Sequence, residues 1–309
     1  SFRNCDVVDM TFACIGAVDA MHNTLDWVAR GGQERNRIGI VVFADNAKYD
    51  LGSSGEYTQG AGGGAILIRH NPRLLAIPDI WGVSTMPVHD FFKPRREIET
   101  RTVVENVLEL AEESGARFTS NLAEKILKLL PRSKKKNQTI FENEKIMIHK
   151  DTPVFDGQFS NRCYSESVKQ AFIDFRRKAI EEGRYNPEDD EILTNQWSRI
   201  IVHLPYAFQG KRMFPDVFRH DRRNLPMWEG IVEEIGPEPL PSEFPDTPEG
   251  IEEFETANDA YRRLISKTPE FKTFVEQRIE KTQRASSLIG NQYTGSIFLA
   301  LMSAMESDY

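Results

Sequence analysis

The feature that most constrains this chain is a change of apolar period, repeated within roughly its first 70 residues. Residues 5–13 mix β-branched and apolar side chains and predict a buried strand. Ala13-Cys14-Ile15-Gly16-Ala17 then turns into a helix. Ala17, Val18, Met21, Leu25 and Val28 recur at helical spacing, and Gly31-Gly32 ends the run. Residues 38–43 are a continuous apolar run bounded by Arg37 and Asp45, the pattern of a strand covered on both faces. Gly60-Ala61-Gly62-Gly63-Gly64 leads into a further short strand over residues 65–68. Strand, helix, strand, strand in this space predicts a layered α/β fold.

From Thr102 the texture becomes helical. Val103, Val104, Val107, Leu108 and Leu110 make one stripe, and Leu122, Ile126, Leu127, Leu129 and Leu130 another. A basic loop, Arg132-Ser133-Lys134-Lys135-Lys136-Asn137, follows. Residues 95–150 thus read as a helical insertion with a hairpin-like return. Residues 165–183 predict a helix, and residues 199–204 a strand that stops at Pro205. Five prolines between Pro237 and Pro248, mixed with acids, predict an extended solvated loop. Thr268-Pro269-Glu270 supplies a capping hydroxyl, a first-turn proline and an acid at the positive helix end, so a helix should run from there to about Ser287. Residues 296–305 predict a last, buried helix. No repeat of 20–50 residues is visible.

Composition excludes several classes of function. The 309 residues, 39% hydrophobic and 28% charged, suit a globular chain with a sizeable core. Lys plus Arg is 39 against 47 Asp plus Glu, a net charge of −8, which argues against nucleic acid as a partner. No apolar run reaches the roughly 18 residues of a membrane span, and the mean hydropathy is −0.48. Three cysteines, Cys5, Cys14 and Cys163, are too few and odd in number for a disulfide framework and fit a reducing cytoplasm. No signal peptide is visible, and a chain that opens at Ser1 without Met is expected to begin inside a fold. His22, His70, His149 and His220 have no mutual metal-ligand spacing. The glycine run matches neither the Gly-x-Gly-x-x-Gly nor the Walker A pattern.

Three places remain that can carry chemistry. Cys14 sits where a predicted strand gives way to a helix, and the positive end of a helix dipole favours a nucleophilic thiolate. Asp9 and Asp19 oppose this, and the bland alternative is a small buried hydrophobe. His203 ends the apolar run Ile200-Ile201-Val202, at a strand end where α/β sheets meet ligands, unless it is a satisfied core histidine. Lys211 and Arg212 follow and either meet phosphate or form a solvated face. In Gly290-Asn291-Gln292-Tyr293-Thr294-Gly295-Ser296, two glycines flank polar side chains ahead of a buried helix, a plain turn or an oxyanion and ligand site. Asp45, Tyr57-Thr58-Gln59-Gly60 and His89-Asp90 are further candidates.

Together these segments resemble the 3-hydroxy-3-methylglutaryl-CoA synthases, condensing enzymes of the thiolase superfamily, most closely a bacterial branch. The matching texts are Phe12-Ala13-Cys14-Ile15-Gly16-Ala17, Glu56-Tyr57-Thr58-Gln59-Gly60-Ala61-Gly62, Asp90-Phe91-Phe92-Lys93-Pro94, Pro153-Val154-Phe155-Asp156-Gly157-Gln158-Phe159-Ser160, His203-Leu204-Pro205-Tyr206 and Gly290-Asn291-Gln292-Tyr293-Thr294-Gly295-Ser296. They stand in the family's order across nearly the whole chain. The resemblance implies a thiolase-like layered αβαβα fold with two similar halves. Residues 1–94 would form an incomplete N-terminal half, residues 95–150 an insertion, and residues 151–309 a C-terminal half without its last strands.

The resemblance also implies roles. Cys14 matches the acetylated nucleophile and His203 the histidine that holds the acetoacetyl thioester. Asn291 matches an asparagine that hydrogen-bonds that substrate. Asp45 and Asp90 match supporting acids, and Lys211 and Arg212 match basic residues near CoA phosphate. Tyr57, Thr58 and Ser296 fall in the same substrate-binding motifs. The implied substrates are acetyl-CoA and acetoacetyl-CoA, condensed to HMG-CoA for isoprenoid synthesis by the mevalonate pathway, with no cofactor or metal. A cytoplasmic homodimer is implied. Two alternatives stand beside this reading: a relative acting on acyl carrier protein substrates in polyketide β-branching, and a non-catalytic half that needs a partner polypeptide. The sequence departs from the family in several ways. The family's acid/base Glu would precede Ser1, its Gly-Ser-Gly strand would follow Tyr309, and Ile15 stands where many relatives have Tyr. Gly63-Gly64 replaces bulkier residues, and residues 95–150 exceed the short bacterial form. The chain is therefore expected to be truncated at both ends.

Overall fold

A computed structural model describes residues 4–32, 36–117, 121–129, 145–189 and 191–308. The elements run α1 (Gly16–Arg30), β1 (Ile38–Ala47), β2 (Gly60–Arg69), β3 (Arg95–Glu99), α2 (Thr100–Glu113), α3 (Leu122–Leu129) and β4 (Lys145–His149). Then come α4 (Gly157–Glu181), α5 (Gln209–Met213), α6 (Pro215–Arg222), α7 (Met227–Ile235) and α8 (Pro248–Ile265). The chain ends with α9 (Pro269–Val275), a π-helical turn (Glu276–Glu280), α10 (Lys281–Ile289) and α11 (Gly295–Asp308). Two compact units result, residues 1–88 with 157–309 and residues 89–156.

In the first unit, β1 and β2 pair antiparallel, with Val41 opposite Ile66 and Asp45 opposite Gly62. α1 and α11 pack on this hairpin. Ala17, Val28, Val41 and Ile68 form a small core, and Phe43 stacks on Phe298 of α11 at 4.9 Å between ring centres. The helix period read from Ala17 to Val28 gave α1 correctly, and Gly31 caps it. The expectation that residues 38–43 are covered on both faces does not hold. Ile38, Ile40 and Val42 are exposed, because the described residues cover only the side carrying Val41. Residues 5–13 are not a strand either. They run extended and exposed, with Val7 and Val8 bare, because no described strand lies alongside to accept their ladder bonds.

A larger core lies among α4–α10, built on Phe218, Ile231, Ile265 and Ile279, each at most 1% exposed. α4 begins two turns earlier than predicted. Thr268 caps α9 as predicted, its hydroxyl accepting the Phe271 N–H at 3.3 Å. The helical path then continues past Ser287, through the π turn, to Ile289. Residues 199–204 are not a strand. They lie extended against the π turn, where the Ile200 N–H donates to the Arg278 carbonyl at 2.8 Å and Arg199 Nη1 to the Gln277 carbonyl at 2.9 Å. A π turn leaves carbonyls free for such partners, so this segment finds its bonds without a sheet.

The second unit holds β3 and β4, paired antiparallel from Arg95–His149 to Glu99–Lys145, with α2 and α3 between them in the chain. Its bounds, residues 89–156, are six residues wider on each side than the insertion expected at 95–150. The predicted basic loop at residues 132–137 lies outside the described residues.

Candidate active site

The loop before α11 is fixed by backbone approach. Gly290 has φ +86°, and a Cβ there would sit 2.2 Å from the Gln59 carbonyl. A Cβ on Gly60 would sit 2.6 Å from the Ile289 carbonyl and 2.7 Å from that of Asn291. The two glycines let the chain after residue 58 lie against the Asn291 loop, bridged at Gln59 and Asn291, with the Asn291 N–H donating to the Thr58 carbonyl at 2.8 Å. Asn291 is 1% exposed and organises the loop. Its Oδ1 accepts the Tyr293 N–H at 2.8 Å and the Ser296 hydroxyl at 3.2 Å, and its Nδ2 donates to the Tyr49 hydroxyl at 3.1 Å.

The same loop holds the Cys14 segment. The Thr294 N–H donates to the Ala13 carbonyl at 2.8 Å, and the Thr294 hydroxyl accepts the Ala17 N–H at 2.8 Å, so one residue grips the chain on both sides of Cys14. Cys14 is half-buried, two residues ahead of α1. Burial pushes its thiol up to about 12, and the negative charge of Asp45 on β1 adds to this. The sequence expectation of a thiolate favoured by the helix dipole is thus reversed. Removing the thiolate from water, next to a carboxylate, outweighs the partial charge of the helix end.

His203 arrives on the extended segment docked at the π turn. Leu204 is 0% exposed and anchors it, and the Tyr164 hydroxyl of α4 donates to the His203 carbonyl at 2.6 Å. Both ring nitrogens are sealed from solvent and lack a hydrogen-bond partner of good geometry. Burial holds the imidazole down to about 4, opposed in part by the Tyr293 backbone, so the ring is neutral at neutral pH. Cys14 and His203 meet the same two tyrosines. Tyr164 lies against His203, 6.3 Å between ring centres, and both its phenol and that of Tyr293 are pushed up by burial, with a smaller contribution from the nearby Cys14. The resting site is a neutral thiol and a neutral imidazole in a dry setting.

Of the sequence candidates, Cys14, His203, Asn291, Ser296, Thr58 and Asp45 therefore come together. Tyr57 does not, being 79% exposed on the turn before β2. Asp90 lies in the second unit, where its carboxylate accepts the Asp156 N–H at 3.0 Å. Lys211 and Arg212 part company. Lys211 pairs with Glu280, whereas Arg212 donates to the Tyr206 hydroxyl at 3.2 Å and lies over its ring. Sequence reasoning missed Tyr49 and Tyr164, which no local pattern marks, and gave no role to Tyr293 and Thr294 inside a motif it had singled out. Among the described residues no cluster of three His, Cys, Asp or Glu could hold a metal ion, and no helix is long and apolar enough to cross a membrane.

A family model for the C-terminal part of hydroxymethylglutaryl-coenzyme A synthase matches residues 136–308. The chain is 25% identical over 306 residues to the hydroxymethylglutaryl-CoA synthase of Haloferax volcanii, across 99% of this chain and 53% of that protein. It is 22% identical over 310 residues to the cytoplasmic synthase of Mus musculus, covering 98% of this chain and 46% of that protein. A shorter stretch of 82 residues, 26% of this chain and 21% of that protein, is 39% identical to the synthase of Enterococcus faecalis. Among solved structures, MvaS in complex with 3-hydroxy-3-methylglutaryl coenzyme A superposes with a TM-score of 0.62 at 21% identity, over 99% of this chain and 53% of that one. The Curacin pathway HMG synthase in complex with acetyl donor-ACP gives 0.51 at 13%, over 98% and 49%. The fold is the thiolase-like α/β fold of these enzymes, and the chain spans about half the length of the relatives it matches.

Proposed function

This chain belongs to the hydroxymethylglutaryl-coenzyme A synthase family, and we propose that it carries the acyl-accepting thiol and the ketone-binding histidine of HMG-CoA formation. Cys14 attacks the acetyl thioester. Its S–C bond forms, the bond to the CoA sulfur breaks, and the thiol proton passes to the leaving thiolate, with neutral His203 able to relay it. The acetyl-enzyme then loses a methyl proton, for which we assign no residue of this chain. The enolate attacks the ketone carbon of acetoacetyl-CoA. His203 donates to the oxygen as it becomes an alkoxide, and Asn291 offers its remaining amide N–H. Water releases the product from Cys14.

The observation that carries this reading is the neutral imidazole whose two nitrogens are buried, neither of them making a hydrogen bond of good geometry within the chain. A buried donor without a partner costs about 1–3 kcal/mol, and a substrate carbonyl recovers that cost. The neutral ring suits this, because it presents one N–H and one lone pair. Family membership supports a homodimer in the cytoplasm as the setting, and the three unpaired cysteines fit that compartment.

The test is covalent. The chain is incubated with radiolabelled acetyl-CoA and digested. The peptide containing Cys14 should carry the label, and the Cys14→Ser chain should carry none. An unlabelled wild-type peptide contradicts the proposal. Running acetyl carrier protein beside acetyl-CoA separates the two donor classes.

A further inference from the structure

The helical path from α9 to α10 is interrupted by the π turn at Glu276–Glu280. A π turn is rare, and it displaces carbonyls from the ordinary helix ladder. Three carbonyls of this turn take partners outside that ladder. The Thr282 hydroxyl, 0% exposed, donates to the Ile279 carbonyl at 2.7 Å. The Ile200 N–H takes the Arg278 carbonyl, and Arg199 takes that of Gln277. The side chain of Arg278 reaches back to the same segment. Its Nη1 donates to the Trp197 carbonyl, and its Nη2 to the Asn195 carbonyl at 3.2 Å. Main chain and guanidinium of one residue thus hold residues 195, 197 and 200 of the segment that leads to His203.

Core packing does not account for this fork. Ile200 and Leu204 are buried before and after the histidine, but apolar burial is non-directional, whereas charged donors of fixed geometry set register. The fork also stands where a second cation opposes it. Arg222 of α6 reaches the same asparagine, its Nη2 donating to Asn195 Oδ1 at 3.2 Å. Burial, and to a smaller extent the charge of Arg278, lowers Arg222 to about 10. From Ile200 to His203 the chain is extended, about 10 Å with no turn to absorb a displacement. Its far end is tied by the Tyr164 hydroxyl at the His203 carbonyl. We infer that Arg278 is a positioning residue for the His203 imidazole: its fork and its carbonyl set the register of residues 195–200, and that register sets where the ring stands in its pocket. The inference rests on the synthase reading above for what the ring does, and on these bonds for how it is held.

Two readouts on the full chain test it. The first is histidine side-chain NMR, with His203→Ala assigning the ring signals. Arg278→Gln removes the fork and should displace the His203 signals, while those of His22 on α1 and His149 on β4 stay in place. Arg278→Lys keeps the charge without the fork; it should displace them less, and it serves as the test if the glutamine variant does not fold. Thr268→Ala removes the α9 cap on the same helical path. It should lower the urea midpoint yet leave the His203 signals unmoved, which separates positioning from a general loss of stability. The second readout is the rate of Cys14 acetylation at saturating acetyl-CoA. A misplaced ring predicts a rate about tenfold lower in Arg278→Gln and unchanged in Thr268→Ala. Wild-type His203 signals in both Arg278 variants overturn the inference. An equal displacement in Thr268→Ala, or an acetylation rate in Arg278→Gln equal to wild type, does the same. A wild-type chain that takes no label on Cys14 removes the synthase reading instead, and the NMR comparison still decides whether Arg278 holds the ring.

Discussion

A thiol held near 12 is almost wholly protonated at neutral pH, so the attack proposed for Cys14 requires its proton to leave as the S–C bond forms. In a chain carrying Cys5→Ser and Cys163→Ser, iodoacetamide at pH 8 should alkylate Cys14 roughly a thousandfold more slowly than an unshifted thiol, because three pH units separate the two. Asp45→Asn should raise that rate severalfold by removing the opposing charge; an unchanged rate would show that Asp45 does not act on the thiol. Asn291→Ala should destabilise the fold by about 1–3 kcal/mol in urea unfolding, since it removes the acceptor of the Tyr293 N–H and the Ser296 hydroxyl and one donor to the Tyr49 hydroxyl. Cys14, His203 and Asn291 were singled out in the sequence through the family motifs that carry them, and the structure brings the three together. The direction of the Cys14 shift was not legible. It depends on burial and on a carboxylate 31 positions away, Asp45, and neither is written in the residues around the thiol.

At the scale of elements, the site depends on two passes of backbone lying closer than a side chain permits. Gly60→Ala forces a Cβ into the Ile289 and Asn291 carbonyls, and overpacking of this kind costs about 1–3 kcal/mol. The expected result is a lower urea midpoint together with loss of Cys14 labelling. A variant as stable and as readily labelled as wild type would contradict the role given to this contact. The helices that the sequence predicted were found, because a 3.6-residue period is a local signal that survives whatever packs against it, whereas α5 to α8 were not read from it. Strands were read poorly at residues 5–13 and 199–204. A strand exists only by virtue of a neighbour, and the Ile200 N–H found its acceptor in a π turn more than 70 residues away in sequence. The same logic explains β1, whose continuous apolar run suggested two covered faces but fixes neither.

For the whole molecule, the buried imidazole links stability to acid. His203 stays unprotonated down to about pH 4 in the folded chain, whereas an unfolded histidine takes its proton near 6.5. Between those values the unfolded state binds the extra proton, so stability is intact above pH 6.5 and falls as pH drops toward 4, by roughly 2–3 kcal/mol. His22 and His220, also held down mainly by burial, act in the same direction. Urea midpoints at pH 7 and pH 4.5 should show the loss, and His203→Gln should shrink it; equal midpoints at the two pH values would contradict a buried neutral ring. The layered α/β class was legible from the order of periods, whereas the joining of residues 1–88 with 157–309 into one unit was not, because no local pattern records which distant segments share a core. The central claim is that Cys14 and His203 occupy one dry pocket. Histidine side-chain NMR on wild type and Cys14→Ala tests it directly, with His203→Ala assigning the resonance among the six histidines. The account predicts that the ring signals of His203 shift in Cys14→Ala while those of the exposed histidines stay in place; a His203 signal indifferent to the loss of the thiol would contradict it.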